Sequence, residues 1–173
     1  MSAARSPCFP MTHLLSLPAI QLAQPADASR LSALEQACFA ADCISLRSYR
    51  RLLRRASAQI LMVLPQPLSS SDLWGSTVIL YREHAKVARI YSLAVATQAR
   101  QQGVASALLA AAEQHAIARG CDRLRAEIRQ DNTASLATFH KAGFVPFGRY
   151  EHYYADGAAA VRVQKRLDRS QSV

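Results

Sequence analysis

The sequence predicts a single mixed α/β domain, and three observations carry the prediction. Half of the 173 residues are hydrophobic and 19% are charged, enough apolar side chain for a packed core. Strand and helix periodicities succeed one another in the order β-α-α-β-β-β-α-β-α-β-β. Neither an internal repeat nor an interdomain linker breaks that order, and no run of about twenty apolar residues exists to form a membrane-spanning helix.

The elements follow in chain order. Residues 1–18 read as a flexible extension: Arg5 followed by Leu14-Leu15-Ser16-Leu17 is too short for a signal peptide and is broken by Pro18. Met11 is an alternative start. The domain spans 19–168, with 169–173 as a tail. Residues 19–23 form a short strand ended by Pro25, and Asp27 or Ser29 caps a helix that runs to Phe39, with Leu31, Leu34 and Cys38 on one face. A second helix over 45–55 places Leu46, Tyr49, Leu52 and Leu53 on one side and Arg47, Arg50, Arg51, Arg54 and Arg55 on the other. A strand over 59–64 stops at Pro65 and Pro67, and the polar stretch from Ser69 to Asp72 turns the chain into a strand over 74–83. The apolar run ARIYSLAV at 88–95 reads as a strand near the middle of a sheet.

A long helix covers 103–119, with Ala105, Leu108, Leu109, Ala112 and Ala116 as its buried stripe and Gly120 as its terminator. Over 123–129 the residues alternate, Leu124, Ala126 and Ile128 one way and Arg125, Glu127 and Arg129 the other. Asp131 caps a short helix over 133–142 that Gly143 ends. Strands over 147–154 and 159–166 close the domain, joined at Asp156-Gly157, a hairpin signal.

Lys and Arg total 21 against 12 Asp and Glu, a net charge of +9, and 18 of the 21 are arginine. Such a balance favours an anionic partner without choosing among nucleic acid, membrane surface and phosphorylated ligand. Cys8, Cys38, Cys43 and Cys121 form no C-x-x-C pair and no metal spacing, which fits reduced thiols in a cytoplasmic protein.

The most informative stretch is the passage from Leu93-Ala94-Val95 through Arg100-Gln101-Gln102-Gly103-Val104-Ala105-Ser106. A buried strand ends, a polar turn follows, and a helix begins at a glycine. The first N–H groups of a helix lack intrahelical acceptors and the helix dipole adds positive potential, so the turn suits a pyrophosphate. Arg100 adds charge. Neither G-x-x-x-x-G-K-[ST] nor G-x-G-x-x-G occurs, so the common nucleotide-binding loops do not fit.

The R-x-x-G-x-A run resembles the acetyl-CoA signature of the GNAT acetyltransferase superfamily. The segment Glu127-Ile128-Arg129-Gln130-Asp131-Asn132, followed by Phe139-His140-Lys141-Ala142-Gly143-Phe144, resembles that family's E-V-R-x-x-N…Y-x-x-x-G-F segment. Tyr153-Tyr154, and Leu34-Glu35 with Phe39, are similar to the RimI-like N-terminal acetyltransferases. The resemblance extends over about residues 20–167. It implies a central mixed, mostly antiparallel sheet of about seven strands flanked by four helices.

For the site, the resemblance implies that the strand at 88–95 splays from the strand at 123–129. Pantetheine of acetyl-CoA then pairs with backbone around Leu93, Ala94 and Val95. The turn over Arg100, Gln101, Gln102, Gly103, Val104, Ala105 and Ser106 holds the pyrophosphate, and Asn132 contacts the cofactor arm. Glu127 matches a catalytic glutamate and is the candidate base; a salt bridge to Arg125 or Arg129, its same-face neighbours, is the competing reading. The family's general-acid tyrosine falls at Phe139, which lines the cofactor but has no hydroxyl. Tyr153 is taken as the catalytic substitute, with Tyr154, His140 or a water as alternatives. No metal enters this chemistry.

The implied activity is acetyl transfer from acetyl-CoA to a primary amine, with a protein N-terminal α-amine as first candidate and small amines open. An α-amine with a pKa near about 8 asks less of a carboxylate base than a lysine near about 10.4. A weakened GNAT domain that senses acyl-CoA or RNA is the alternative, motivated by Phe139 and by the arginine helix at 47–55. That helix is also the candidate contact for nucleic acid or an acidic peptide, although a solvated face explains it as well. The expected assembly is a monomer or homodimer.

Overall fold

The computed structural model describes residues 19–65 and 73–168; the extension at 1–18, the tail at 169–173, Cys8 and the polar turn at 69–72 lie outside them. Seven strands and four helices follow in the order read from the sequence: β1 (Ile20–Leu22), α1 (Ala28–Cys38), α2 (Leu46–Leu52), β2 (Ala58–Val63), β3 (Gly75–Leu80), β4 (Val87–Val95), α3 (Val104–Ala118), β5 (Arg123–Arg129), α4 (Thr133–Lys141), β6 (Val145–Tyr150) and β7 (Ala160–Arg166). The strands form one sheet ordered β1-β2-β3-β4-β5-β7-β6. Every neighbouring pair is antiparallel except β4 with β5.

The parallel pair needs a crossover, and α3 supplies it. Its stripe of Val104, Leu108, Leu109, Ala112 and Ala116 is buried against β2, β3, β4 and β5. The α3 C-terminus closes as the glycine at 120 predicts. Gly120 takes φ 78°, its N–H donates to the Ile117 carbonyl, and the Cys121 N–H donates to the Ala116 carbonyl. Helix α4 ends the same way at Gly143, and there the ring of Phe144 meets that of Phe139 edge-on at 5.0 Å. On the opposite face of the sheet, α1 packs on α2 and on β4.

Several boundaries move for identifiable reasons. Asp27 stands at the N-cap position of α1, but its side chain makes no cap bond: it ends a 3₁₀ turn over Pro25–Asp27, where its carboxylate accepts from the Gln24 N–H at 2.6 Å and from Arg30. Ser29 lies inside the helix. Ser45 caps α2, its Oγ accepting from the Ser48 N–H at 3.2 Å, and the helix stops at Leu52 rather than Arg55. Beyond Leu52, like-charged arginines one turn apart disfavour continuation and the chain must reach β2. Strand β3 is shorter than 74–83, because its pairing with β2 ends at Leu80 and His84 turns with φ 60°.

The α4 cap is Asn132, not Asp131: Asn132 Oδ1 accepts from the Ser135 N–H at 3.0 Å, while Asp131 pairs with Arg129. Strand β6 begins at Val145 and leaves the ladder after Tyr150 instead of running to Tyr154. Asp156-Gly157 turns the chain at the tip of a loop over 151–159, not in a two-residue hairpin. Both Tyr153 and Tyr154 donate their N–H groups to the Ala158 carbonyl, and Arg129 holds the Asp156 carboxylate. That ion pair draws the loop across the end of β5.

Gly75 lets α3 approach the sheet closely. A Cβ there would lie 2.8 Å from Val104 Cγ1, 3.0 Å from Leu108 Cδ1 and 3.1 Å from the Ala94 carbonyl. Gly75→Ala is therefore expected to destabilise the domain by about 1–3 kcal/mol through overpacking, read as a lower urea midpoint with an unchanged slope.

Candidate functional site

The site begins with a register shift. Along β3 and β4, Val78 faces Ser92 but Ile79 faces Ile90, which leaves Tyr91 as an extra residue in β4. Strand β4 bends at that point. Its parallel ladder with β5 runs from Val87↔Arg123 to Ile90↔Ala126 and stops there, although β4 continues to Val95 and β5 to Arg129. The Ala96 N–H donates to the Trp74 carbonyl on the β3 side. Alternate residues therefore turn the backbone groups of Leu93 and Val95 towards the widening gap, with Ala94 facing β3. Cys38 Sγ reaches the Val95 carbonyl at 3.4 Å, a weak donor at the rim of the gap.

At the end of β4 a 3₁₀ turn over Thr97–Ala99 leads into the turn at 100–103. Gln102 Nε2 donates back to the Gln98 carbonyl at 2.7 Å and braces it. Gln101 and Gly103 take positive φ of 61° and 78°. Gly103 is the N-cap of α3 and provides no capping side chain. The first helical bond runs from the Ala107 N–H to the Gly103 carbonyl, so the N–H groups of Val104, Ala105 and Ser106 precede it. A Cβ at Gly103 would meet nothing within 4 Å. The glycine is thus required by its backbone angle, and the space in front of the helix end is open.

Half-buried Leu93 and Val95 beside the gap, an open helix N-terminus and the exposed Arg100 together offer polar backbone and positive charge, a combination that suits an anionic ligand. The Oδ1 of Asn132 is spent on capping α4, which leaves Nδ2 as its free side-chain group. Phe139 is buried at 3% exposure and is occupied with Phe144, so its ring is core as much as lining.

The opposite wall is a charge cluster. Glu127 lies on the polar pleat of β5 with only a tenth of its side chain exposed, and its partners are neither Arg125 nor Arg129. Arg125 sits over the Phe147 ring and Arg129 is taken by Asp131 and Asp156. Instead, Arg89 of β4 places Nε 2.6 Å from Glu127 Oε2, and Arg162 of β7 lies 4.0 Å from Oε1. The Arg89 contact is an ion pair and not an aligned hydrogen bond, since neither atom meets hydrogen-bond geometry. Arg89 Nη2 also donates to the Tyr153 hydroxyl at 2.7 Å. Burial opposes the charge on Arg89, but Glu127 and Tyr153 outweigh it and hold the guanidinium above its ordinary pKa.

Glu127 and Tyr153 therefore belong to one cluster, joined by Arg89. Sequence reading missed this arginine; its signal was a lone charge inside an apolar strand. Tyr153 stacks on Tyr150 with ring centroids 5.7 Å apart, and Tyr154 meets Tyr153 edge-on at 5.1 Å. Burial raises the Tyr154 hydroxyl above its usual value, and His140 is exposed on α4.

Behind the gap lies a carboxylate to which sequence reading gave no chemistry. Glu35 of α1 is 2% exposed and accepts from the Tyr49 hydroxyl at 2.9 Å, from Ser92 Oγ at 2.9 Å and from the Ile44 N–H at 3.4 Å. It ties α1 and the start of α2 to the β4 residue that follows the bulge. Among the described residues, no group of His, Cys, Asp or Glu is placed to hold a metal ion, and no helix is long and apolar enough to cross a membrane.

Comparison with known proteins gives consistent results. Residues 61–144 match the model of the acetyltransferase (GNAT) family. The N-alpha-acetyltransferase MAK3 of Arabidopsis thaliana is 30% identical over 92 residues, which are 52% of this chain and 48% of that protein. The match thus spans about half the length of that curated relative. The ribosomal-protein-S18-alanine N-acetyltransferase from Escherichia coli superposes with a TM-score of 0.76 at 19% identity, covering 88% of this chain and 95% of that one. A chain of the NatC complex bound to Gag peptide and CoA superposes with a TM-score of 0.73 at 18% identity, covering 87% and 98%. At such identities the superpositions show the fold, and that fold is the GNAT fold.

The Glu35 setting has a consequence for stability. Burial raises its carboxyl above the ordinary 4.5, and the bonds from Tyr49, Ser92 and Ile44 only partly oppose this. The folded state then holds the proton more tightly than the unfolded state, so this contribution is full below 4.5 and is lost as pH rises through the folded value. Glu35→Gln lacks that loss. Urea titrations from acid to neutral pH should show the stability difference moving steadily in favour of the variant, and a parallel offset at all pH values would refute the assignment.

Proposed function

We infer from the family match over residues 61–144 and from the shared fold that the chain is a GNAT N-acetyltransferase, and we propose that it acetylates a primary amine from acetyl-CoA. A protein N-terminal α-amine is the first candidate, supported by the N-alpha-acetyltransferase relative. The single observation that carries the reading is the parallel pair β4–β5 coming apart after Ile90 and Ala126, directly before a helix that starts at Gly103. One element exposes backbone for an extended arm, and the next presents N–H groups to phosphate.

In this reading Leu93 and Val95 hold the pantetheine arm by backbone pairing. The N–H groups of Val104, Ala105 and Ser106, with Gln101, Gln102 and Arg100, hold the pyrophosphate. When bound, acetyl-CoA supplies the thioester whose acetyl carbon accepts the amine nitrogen and whose sulfur leaves as a thiolate. The residues must then take a proton from the amine and return one near the sulfur.

Glu127 is the base. Its carboxylate is held by Arg89 and Arg162, so an amine approaching it competes with the Arg89 contact, and water relays the proton where that contact persists. Tyr153 is the acid. Its oxygen accepts from Arg89, which leaves the phenolic proton available to donate. Phe139 contributes no proton. A thiol with a pKa near about 8.5 departs tolerably without full protonation, so the missing hydroxyl lowers the rate rather than abolishing it.

The test is thiol release from acetyl-CoA with a panel of N-terminal peptides and small amines. Turnover on one acceptor class is expected. Glu127→Gln should lower kcat by about 10²-fold with acetyl-CoA affinity in calorimetry unchanged. Equal loss of binding and turnover would make Glu127 structural, and absence of acetyl-CoA binding by the unmodified protein would overturn the whole reading.

A further inference from the structure

A groove of about 300 Å³ lies beside α2, outside the gap between β4 and β5. Its apolar lining includes Ile44, Leu52, Leu80 and Tyr91, and its charge comes from Arg51 and Arg55. Two features connect it to the charge cluster. Tyr91, the bulged residue, lines the groove and is half exposed. Arg89 lies over the Tyr91 ring at 5.5 Å, and the same guanidinium touches Glu127. From the carboxylate to the groove the path therefore crosses two side chains.

The charge of the groove is uncompensated. All five arginines from Arg47 to Arg55 are exposed, and among the described residues none of them is ion-paired. Four carboxylates near the cluster are already engaged, Glu127 by Arg89, Asp131 and Asp156 by Arg129, and Glu151 by Arg149, while Asp42, which acts on Tyr154, has no ion partner among the described residues. Arg51 in the last turn of α2 and Arg55 just past its end both line the groove, so they present two guanidiniums to one ligand. A groove with a mixed, mainly polar lining and two unpaired guanidiniums matches a short peptide segment with acidic side chains.

We propose that this groove receives the part of the acceptor that follows its amine and selects peptides carrying Asp or Glu there. The proposal rests on the acetyltransferase reading and specifies its substrate class. With the amine at Glu127, the chain runs over Tyr91 and its carboxylates pair with Arg51 and Arg55. Arg47 and Arg54 do not line the groove.

Three peptides of one sequence, with Asp, Asn or Lys at residues two to four, test the proposal. The Asp peptide should show kcat/KM at least about tenfold above the Asn peptide at low salt, with the gap narrowing as salt rises. The double substitution Arg51→Glu and Arg55→Glu should invert the order in favour of the Lys peptide, whereas Arg47→Glu with Arg54→Glu should keep it. Equal kcat/KM for Asp and Asn peptides, or a preference that survives the first double substitution, overturns the proposal. If no peptide turns over while acetyl-CoA binds, the acetyltransferase reading fails separately, and fluorescence anisotropy of the same peptides decides the groove. Binding of the Asp peptide that is lost with Arg51→Glu and Arg55→Glu sustains it. Binding of a single-stranded uridine oligonucleotide in place of any peptide makes the surface a nucleic-acid contact and overturns it.

Discussion

One surplus residue in β4 sets the geometry of everything around it. A parallel pair in the middle of a sheet normally stays together, because each separated N–H and C=O forfeits a partner. Tyr91 breaks that rule by inserting into β4 opposite β3, so the strand keeps its antiparallel neighbour and leaves its parallel one. Glu35 secures the departure from the other side. Its carboxylate binds Ser92, the residue after the bulge, and the Tyr49 hydroxyl, so α1, α2 and β4 meet at one buried group. A buried carboxylate is costly to desolvate, and here three donors offset part of the cost. The gap is thus a built feature of the sheet and not a frayed end.

The same bend sorts the chemistry. Before it, Arg89 shares a pleat with Arg125 and Glu127, as the ladder Arg89↔Arg125 requires. After it, Ser92 takes the helix-facing pleat and Leu93 turns towards the α3 side. The register before the bend gathers an arginine and a glutamate on one wall, and the loop at 151–159 adds a tyrosine to them. Glu127 is positioned by charges on both neighbouring strands. This explains how a carboxylate with a tenth of its side chain exposed is tolerated, and it makes Arg89 part of the site on equal terms with the residues that the motifs single out.

Much of the fold was legible because its signals are local. Alternation marked β5, the glycines at 120 and 143 marked helix ends, and the strand-turn-glycine passage marked the opening of α3. Legibility failed where a tertiary contact decided the outcome. Asp27 reads as a helix cap but is drawn to the Gln24 N–H and Arg30, and Asp131 yields the cap of α4 to Asn132 because Arg129 claims it. Asp156-Gly157 turns the chain, yet the ladder had already ended at Tyr150. The bulge left a trace: Ala88, Ile90, Leu93 and Val95 are spaced by two, three and two, a parity shift that a straight strand does not show. The turn at 100–106 was visible in the sequence as the passage from strand to helix. The pairing of Glu127 with Arg89 was not, since nothing local brings residues 89 and 127 together.

The positive φ of Gly103 and the open space before it have a consequence for how the turn tolerates change. In the proposed reading an anion there is met by peptide N–H groups, with Arg100 adding charge. The turn's exposed positions are free to drift as long as the left-handed step persists and Val104 keeps its place in the core, whereas a substitution that merely adds a Cβ at 103 strains the conformation that opens the helix. The turn is robust to chemistry and fragile to shape.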